Sequence, residues 1–317
     1  KNQINSDPGG GNLLGLLFSG LRHIKRRLEV DPVRHTLTIV SALLCLTFSG
    51  LAEELSQKLQ QVSVTVHAGR AQGSGVLITR DNVNYVLTAG HVVDGLRTVM
   101  SFSDNESGGT KKFAKFSAVK VVKELYQDGR SVGTSSVEGE VIAYSSAEWG
   151  HDLALIKLRT KIADASAQFY LGEAIPANGT KLAHVGSLLG QDGSNSYTTG
   201  VYAQQGRVLF DHVFDQTTCS AFPGSSGGGV YLEATGEYIG CLVRGAGETF
   251  NLIVPVRRIK EWASAHKVEF ILDPAKPVDL KAVKLELLEP ASDSAEPRYN
   301  YRTFQAWFPT RLIQALE

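Results

Sequence analysis

The sequence predicts an all-β protein, an antiparallel barrel or sandwich, on three observations. From Val62 the apolar residues alternate, Val62, Val64 and Val66 against Ser63, Thr65 and His67, which is the pattern of a half-buried strand. Short β-branched runs punctuated by glycine then recur to about residue 256. Almost nothing between them has a helical period, and many short strands with glycine turns argue for antiparallel pairing.

Taken in order, a polar helix is expected at 53–61 and the first strand at 62–67. Further strands are expected at 75–79, 85–88, 153–158, 181–185, 229–232, 238–243 and 250–254. Residues 101–148 are rich in Ser, Gly, Lys and Glu and read as an excursion carried by the barrel, with one strand-like piece at 116–125. Arg257 to His266 is the one convincing helix after the strands, with Ile259, Trp262 and Ala263 as its apolar stripe. From Asp273 the composition turns to Pro, Ala, Glu and Ser, so a loosely attached tail is expected, which Tyr299, Tyr301, Phe304, Trp307 and Phe308 could dock back.

The N-terminal stretch differs from the rest. A loop at Asp7–Gly11 and an apolar run from Leu13 to Leu21 precede a basic block of Arg22, Lys25, Arg26, Arg27 and Arg34. Leu37 to Ala52 then has no charge, and sixteen helical residues reach about 24 Å, short of a hydrocarbon core of about 30 Å. Basic flank, apolar run and small-residue end suit a signal peptide or signal anchor, with the folded part extracytoplasmic, periplasmic or secreted. The alternative is an amphipathic helix packed on the domain. The chain starts at Lys1 and its one methionine is Met100, so it reads as beginning inside a longer product or as trimmed. The expected organisation is a targeting or anchor segment at 1–57, the main domain at 58–268 and a tail at 269–317.

Composition closes several classes. With 32 basic and 32 acidic residues in 317, the chain has no global basic face for nucleic acid. Its 43% hydrophobic content excludes a disordered chain. Three cysteines are too few for a disulfide scaffold, and they lack metal-ligand spacing. No metal and no cofactor is expected.

Three stretches hold the parts of a hydroxyl-nucleophile site. In Tyr85-Val-Leu-Thr-Ala-Gly-His91 a buried strand ends in two small residues and a histidine, which leaves the imidazole uncovered. In His151-Asp152-Leu-Ala-Leu-Ile-Lys-Leu158 an aspartate sits at the mouth of an apolar strand, where a partly buried carboxylate needs donors such as a histidine Nδ1–H. In Phe222-Pro-Gly-Ser-Ser-Gly-Gly228 a serine lies among glycines, whose conformational freedom lets the Gly224 and Ser226 amides converge on an oxyanion. Each piece alone has an ordinary structural explanation. Together, in the order His, Asp, Ser, they point to one site. Separations of 61 and 74 residues leave room for one barrel with His91 and Asp152 and another with Ser226.

On these motifs the chain resembles the trypsin-like serine endopeptidases of the chymotrypsin fold, and within them the HtrA/Deg branch. Gln72-Gly-Ser-Gly-Val76, Thr88-Ala-Gly-His-Val-Val93, Asp152 to Leu158, Val185-Gly-Ser-Leu-Leu-Gly190, Thr199-Gly-Val201, Pro223 to Gly228, Tyr238-Ile-Gly240 and Ile253-Val-Pro-Val256 are similar to that branch's segments over roughly 62–262. The resemblance implies two antiparallel six-stranded β-barrels, with His91 as base and acid, Asp152 as its orienting partner and Ser226 as nucleophile. It also implies a primary specificity pocket with Ser220 near its floor and Val243, Arg244 and Gly245 along its edge, taking a protein or peptide substrate. A floor without a carboxylate gives no reason to prefer Lys or Arg, and Arg244 would favour acidic or polar residues if it pointed inward.

The departures matter too. Ser225 stands where secreted trypsins have the Asp that pairs with a new N-terminus, so zymogen activation of that kind is not expected. About fifty residues follow the barrels, too few for the PDZ domain of HtrA proteins. Whether Cys219 and Cys241 pair is open, as is the oligomeric state. His151 is expected to point outward, as a strand neighbour of Asp152. Two other functions stay in view: a polyprotein-processing protease of a virus or phage, and a catalytically idle binding module on the same scaffold.

Overall fold

The computed structural model describes residues 54–104, 109–127, 130–148, 150–188, 195–209, 212–245 and 249–286. All but residues 54–57 of the expected targeting segment, and the aromatic cluster of the tail, lie outside the described residues. A helix α1 over 54–61 leads into β1 (Ser63–Ala68), β2 (Ala71–Arg80) and β3 (Val83–Thr88). One helical turn, α2 (Gly90–Val93), and a 3-10 turn (Asp94–Leu96) follow, then a hairpin of β4 (Arg97–Asp104) and β5 (Gly109–Phe116). β6 (Val119–Gln127), β7 (Arg130–Ser145) and β8 (Leu153–Leu158) complete the first half. Hydrogen bonding closes it as an antiparallel barrel in the order β1-β2-β3-β8-β7-β6.

The second half contains β9 (Lys181–Ser187), β10 (Asn195–Leu209), β11 (His212–Thr217), β12 (Gly229–Leu232), β13 (Tyr238–Gly245) and β14 (Asn251–Pro255). These close a second barrel in the order β10-β11-β14-β13-β12-β9. The fold is thus all-β with two six-stranded antiparallel barrels, as the resemblance implies.

β1 shows how the barrels meet. Its apolar side chains Val64 and Val66 are fully buried in the first barrel, as their alternation predicts. Ser63 and Thr65 of its polar face are buried as well, because they lie against β9 and β10. The Thr65 hydroxyl bonds that of Ser187, and Asn195 Nδ2 donates to the Ser63 carbonyl at 3.2 Å. The half-buried reading fails here because hydroxyls can be buried where each has a partner.

The expected excursion at 101–148 needs correction, since it contains β6, which the expected strand-like piece at 116–125 overlaps, and all of β7, two strands of the first barrel. The inner ends of these strands bury Val119, Val121, Val141 and Ala143, while Arg130 to Thr134 run out exposed. A ribbon that is half core and half solvated has a polar average composition, which hid the strand character of β7 and the place of both strands in the barrel.

Helix α3 (Val256–His266) buries Ile259, Trp262 and Ala263, the expected stripe, and His266. His266 Nε2 lies 3.0 Å from the Tyr144 carbonyl, fixing the helix to β7. Lys267 ends the helix in the left-handed region (φ +61°). Phe270 then packs edge-on against Tyr85 at 5.2 Å, and Arg80 Nε donates to the Phe270 carbonyl at 2.7 Å. The tail is not loose over its described part. Tyr144 N donates to the Leu285 carbonyl at 2.6 Å, and Arg97 grips the Glu286 carboxylate through two nitrogens.

Candidate active site

Asp152 is the centre of the site. It is 1% exposed and has a left-handed backbone (φ +58°), which costs a non-glycine residue about 1 kcal/mol or more. The turn from β7 to β8 imposes that conformation: Asp152 N donates to the Ser146 carbonyl at 3.2 Å and His151 N to Ser145 Oγ at 2.7 Å. The result is a carboxylate facing the start of α2. His91 N donates to Asp152 Oδ1 at 2.9 Å, and His91 Nδ1 lies 3.0 and 3.1 Å from Oδ1 and Oδ2. Burial alone would raise the Asp152 pKa. The His91 charge and hydrogen bonds, with Arg244 behind them, overcome burial and hold the carboxyl down at about 2. An ionised carboxylate places the imidazole proton on Nδ1 and leaves Nε2 as the basic nitrogen.

Local sequence explains the approach. A Cβ on Gly90 would stand 2.3 Å from the Ser145 carbonyl oxygen and 3.1 Å from Leu153 N. Only glycine lets α2 lie against the mouth of β8. Ala89 caps the turn with extended backbone (ψ 143°) and is itself fully buried.

The serine loop is pinned to the same place from the other barrel. Ser74 N donates to the Ser226 carbonyl at 2.7 Å. A Cβ on Gly227 (φ +89°) would stand 2.3 Å from Thr88 Oγ1 and 3.0 Å from Ala89 N. A Cβ on Gly73 would meet Val92 Cγ2 at 2.6 Å and the Ser226 carbonyl at 2.8 Å. Ser226 and His91 are therefore on segments in backbone contact. Gly224 takes φ +99°. Ser225 N turns back to the Phe222 carbonyl at 2.9 Å, and Gly228 N to that of Ser225 at 2.9 Å. The amides of Gly224 and Ser226 donate to no described group, so they are available to a ligand.

Sequence reasoning gave Ser74 no role, yet its hydroxyl clasps the two barrels. It donates to the Gly224 carbonyl at 2.7 Å and accepts from Ser187 N at 2.7 Å. The only signal was a lone polar residue between Gly73 and Gly75.

The pocket residues are placed unevenly. The Ser220 carbonyl accepts from Thr198 Oγ1 at 2.8 Å, Val243 is fully buried and Gly245 is exposed. Arg244 runs inward beneath the site, 4% exposed, with Nη2 on the Ala147 carbonyl at 3.0 Å and Nη1 3.6 Å from Asp152 Oδ2. Cys219 and Cys241 are both free and buried. Burial pushes the Cys219 thiol up to about 11 and Cys241 further, so neither is a ready thiolate.

His151 is half-buried and not outward. Asp152 precedes β8 in a left-handed turn, so strand alternation does not apply. With His212, Val213, Arg257, Arg258 and Glu261, His151 lines a cleft of about 260 Å³. Burial, then the Arg258, His212 and His266 charges, pull its pKa to about 4.

The trypsin-like peptidase domain family matches residues 73–241, more than half of the chain. A crystal structure of Deg5 superposes with a TM-score of 0.51 at 18% identity, covering 71% of this chain and 97% of that one. That likeness is one of fold. The serine endoprotease from Yersinia pestis gives a TM-score of 0.49 at 19% identity, covering 68% of this chain and 65% of that one. No curated protein sequence matches. The matched span contains His91, Asp152 and Ser226, and the chain belongs to the trypsin-like peptidase domain family, the serine-type endopeptidases.

Proposed function

We propose that the chain hydrolyses peptide bonds through a covalent acyl-enzyme formed on Ser226. The observation that carries this reading is the grip of the ionised Asp152 carboxylate on both the backbone N–H and Nδ1 of His91. That grip fixes the tautomer in which Nε2 takes the Ser226 hydroxyl proton as Oγ attacks the scissile carbonyl. The amides of Gly224 and Ser226 receive the negative charge that develops on the carbonyl oxygen. The imidazolium then gives its proton to the leaving amine, and water repeats the sequence to release the acid.

A protein or peptide is the substrate. Ser220, Val243 and Gly245 offer no charge, and the charge of Arg244 is engaged by Asp152, which supports a small or medium apolar side chain at the cleaved residue. The basic block and uncharged run before residue 53 support delivery to, or anchoring at, a membrane, with the protease outside the cytoplasm; fractionation of cells expressing the chain with and without that segment tests this. The acyl-enzyme is tested with a p-nitrophenyl ester. A burst of about one nitrophenol per chain, absent in Ser226→Ala, is expected. Steady release without a burst in either protein would contradict it.

A further inference from the structure

A guanidinium taken out of water must be answered by charge or by acceptors, or it would not stay buried. Arg244 has a short list of partners. Its Nη2 donates to the Ala147 carbonyl at 3.0 Å, and its plane lies 4.8 Å over the Phe214 ring. Nε and Nη1 make no hydrogen bond among the described residues. Asp152, 3.6 Å from Nη1, is the one described carboxylate within ion-pair distance. The other face of the arrangement is also cationic: Arg258 stacks on Phe214 at 5.0 Å and bonds the Val213 and Gly150 carbonyls at 2.9 and 3.4 Å. Ala147 and Gly150 both belong to the turn that delivers Asp152. The buried guanidinium is thus tied both to that turn and to its carboxylate.

The charged and titratable groups facing Asp152 come from four elements. They are His91 from α2, Arg244 and the Cys241 thiol from β13, Arg258 from α3, and Tyr144 from β7, whose hydroxyl bonds Asp94. Arg244 is the permanent cation among them that stands within 4 Å of the carboxylate.

We propose that Arg244 is a positioning residue for the reaction: it shares the Asp152 carboxylate with His91. This rests on the reading of His91, Asp152 and Ser226 as the reacting set. The sharing has two consequences. While the imidazole is neutral, Arg244 supplies the opposite charge that keeps a fully buried carboxylate ionised. When the imidazole becomes charged, the same guanidinium offsets part of the attraction of Asp152 for it, so Asp152 orients His91 without trapping its proton.

Two experiments test this. The first records kcat/KM against pH for wild type, Arg244→Met and Arg244→Lys on a peptide anilide that Ser226→Ala does not turn over. In Arg244→Met the imidazolium loses an opposing charge, so the acid limb is expected to move to higher pH by about half a unit or more. Arg244→Lys keeps the limb near that of wild type. A limb unmoved in Arg244→Met, whatever the fall in rate, would overturn the proposal, because a purely structural arginine changes rate and not the position of the limb.

The second needs no Arg244 variant and no turnover. Asp152→Asn leaves the buried guanidinium without its counter-charge, whereas His91→Ala leaves that pair intact. The urea midpoint of Asp152→Asn should fall clearly below that of His91→Ala. Equal midpoints would overturn the pairing. If wild type shows no Ser226-dependent turnover, the reading of the site fails on its own terms, while the urea comparison still decides the pairing.

Discussion

Gly90 has no room for a side chain, and the catalytic reading depends on that. A methyl group there would stand 2.3 Å from a backbone oxygen of β7, which cannot swing away as a side chain would. Gly90→Ala is expected to destabilise the protein by about 1–3 kcal/mol by overpacking. It should also weaken the His91–Asp152 contact, so activity falls further than stability does. Urea unfolding beside peptide hydrolysis separates the two losses, and an unchanged rate in a folded Gly90→Ala would contradict the account. A second residue sets an acid limit. His184 is fully buried beneath the serine loop with Nδ1 3.0 Å from the Gly229 carbonyl. Burial, only partly offset by that bond, pulls its pKa from 6.5 to about 4. The unfolded chain takes up this proton below pH about 6.5 and the folded chain only below about 4. Stability owed to the neutral ring is therefore complete above pH 6.5 and lost as pH falls to 4, about 3 kcal/mol in all. His184→Asn should lose less stability than wild type between pH 7 and pH 4.5, and parallel losses in urea midpoint would rule this source out.

Among the elements, α3 is the most legible in the sequence and the most exposed to a single change. Its stripe of Ile259, Trp262 and Ala263 was readable because an 11-residue amphipathic helix repeats its apolar face. Trp262 is fully buried, and Trp262→Ala should cost about 3–5 kcal/mol, measured by thermal or urea unfolding. A cost under 1 kcal/mol would mean that the helix does not pack as described. The strands with continuous apolar runs, such as β8, were equally plain. β6 was read only as a strand-like piece at 116–125 and β7 was not read at all, because their outer halves face solvent and dilute the pattern. The tie of the tail to Tyr144 was also invisible, since it depends on backbone atoms of Leu285 and on a pairing of Arg97 with Glu286 across 189 residues.

At the scale of the whole molecule, the proposed function depends on two barrels that each hold part of the candidate site. His91 and Asp152 belong to the first barrel, Ser226 and the Gly224 amide to the second. Ser74 joins them through its amide and its hydroxyl. Ser74→Ala removes both hydroxyl bonds, worth about 1 kcal/mol each, and should lower kcat about tenfold or more while leaving each barrel folded; unaltered kcat would show that the seam does not position Ser226. The three motifs of the proposed triad stand out in the sequence because they have unusual neighbours, small residues before His91 and glycines around Ser226. The destination of Arg244 does not, because the expected strand ends at 243 and the sequence does not say which carboxylate receives its charge.

The central claim is that His91 activates Ser226 as a nucleophile, and labelling with a fluorophosphonate probe tests it most directly. The account predicts one covalent label on the wild-type chain, absent from Ser226→Ala and reduced at least about a thousandfold in rate in His91→Ala. A well-folded wild type that takes no label, or a Ser226→Ala that still does, would contradict it.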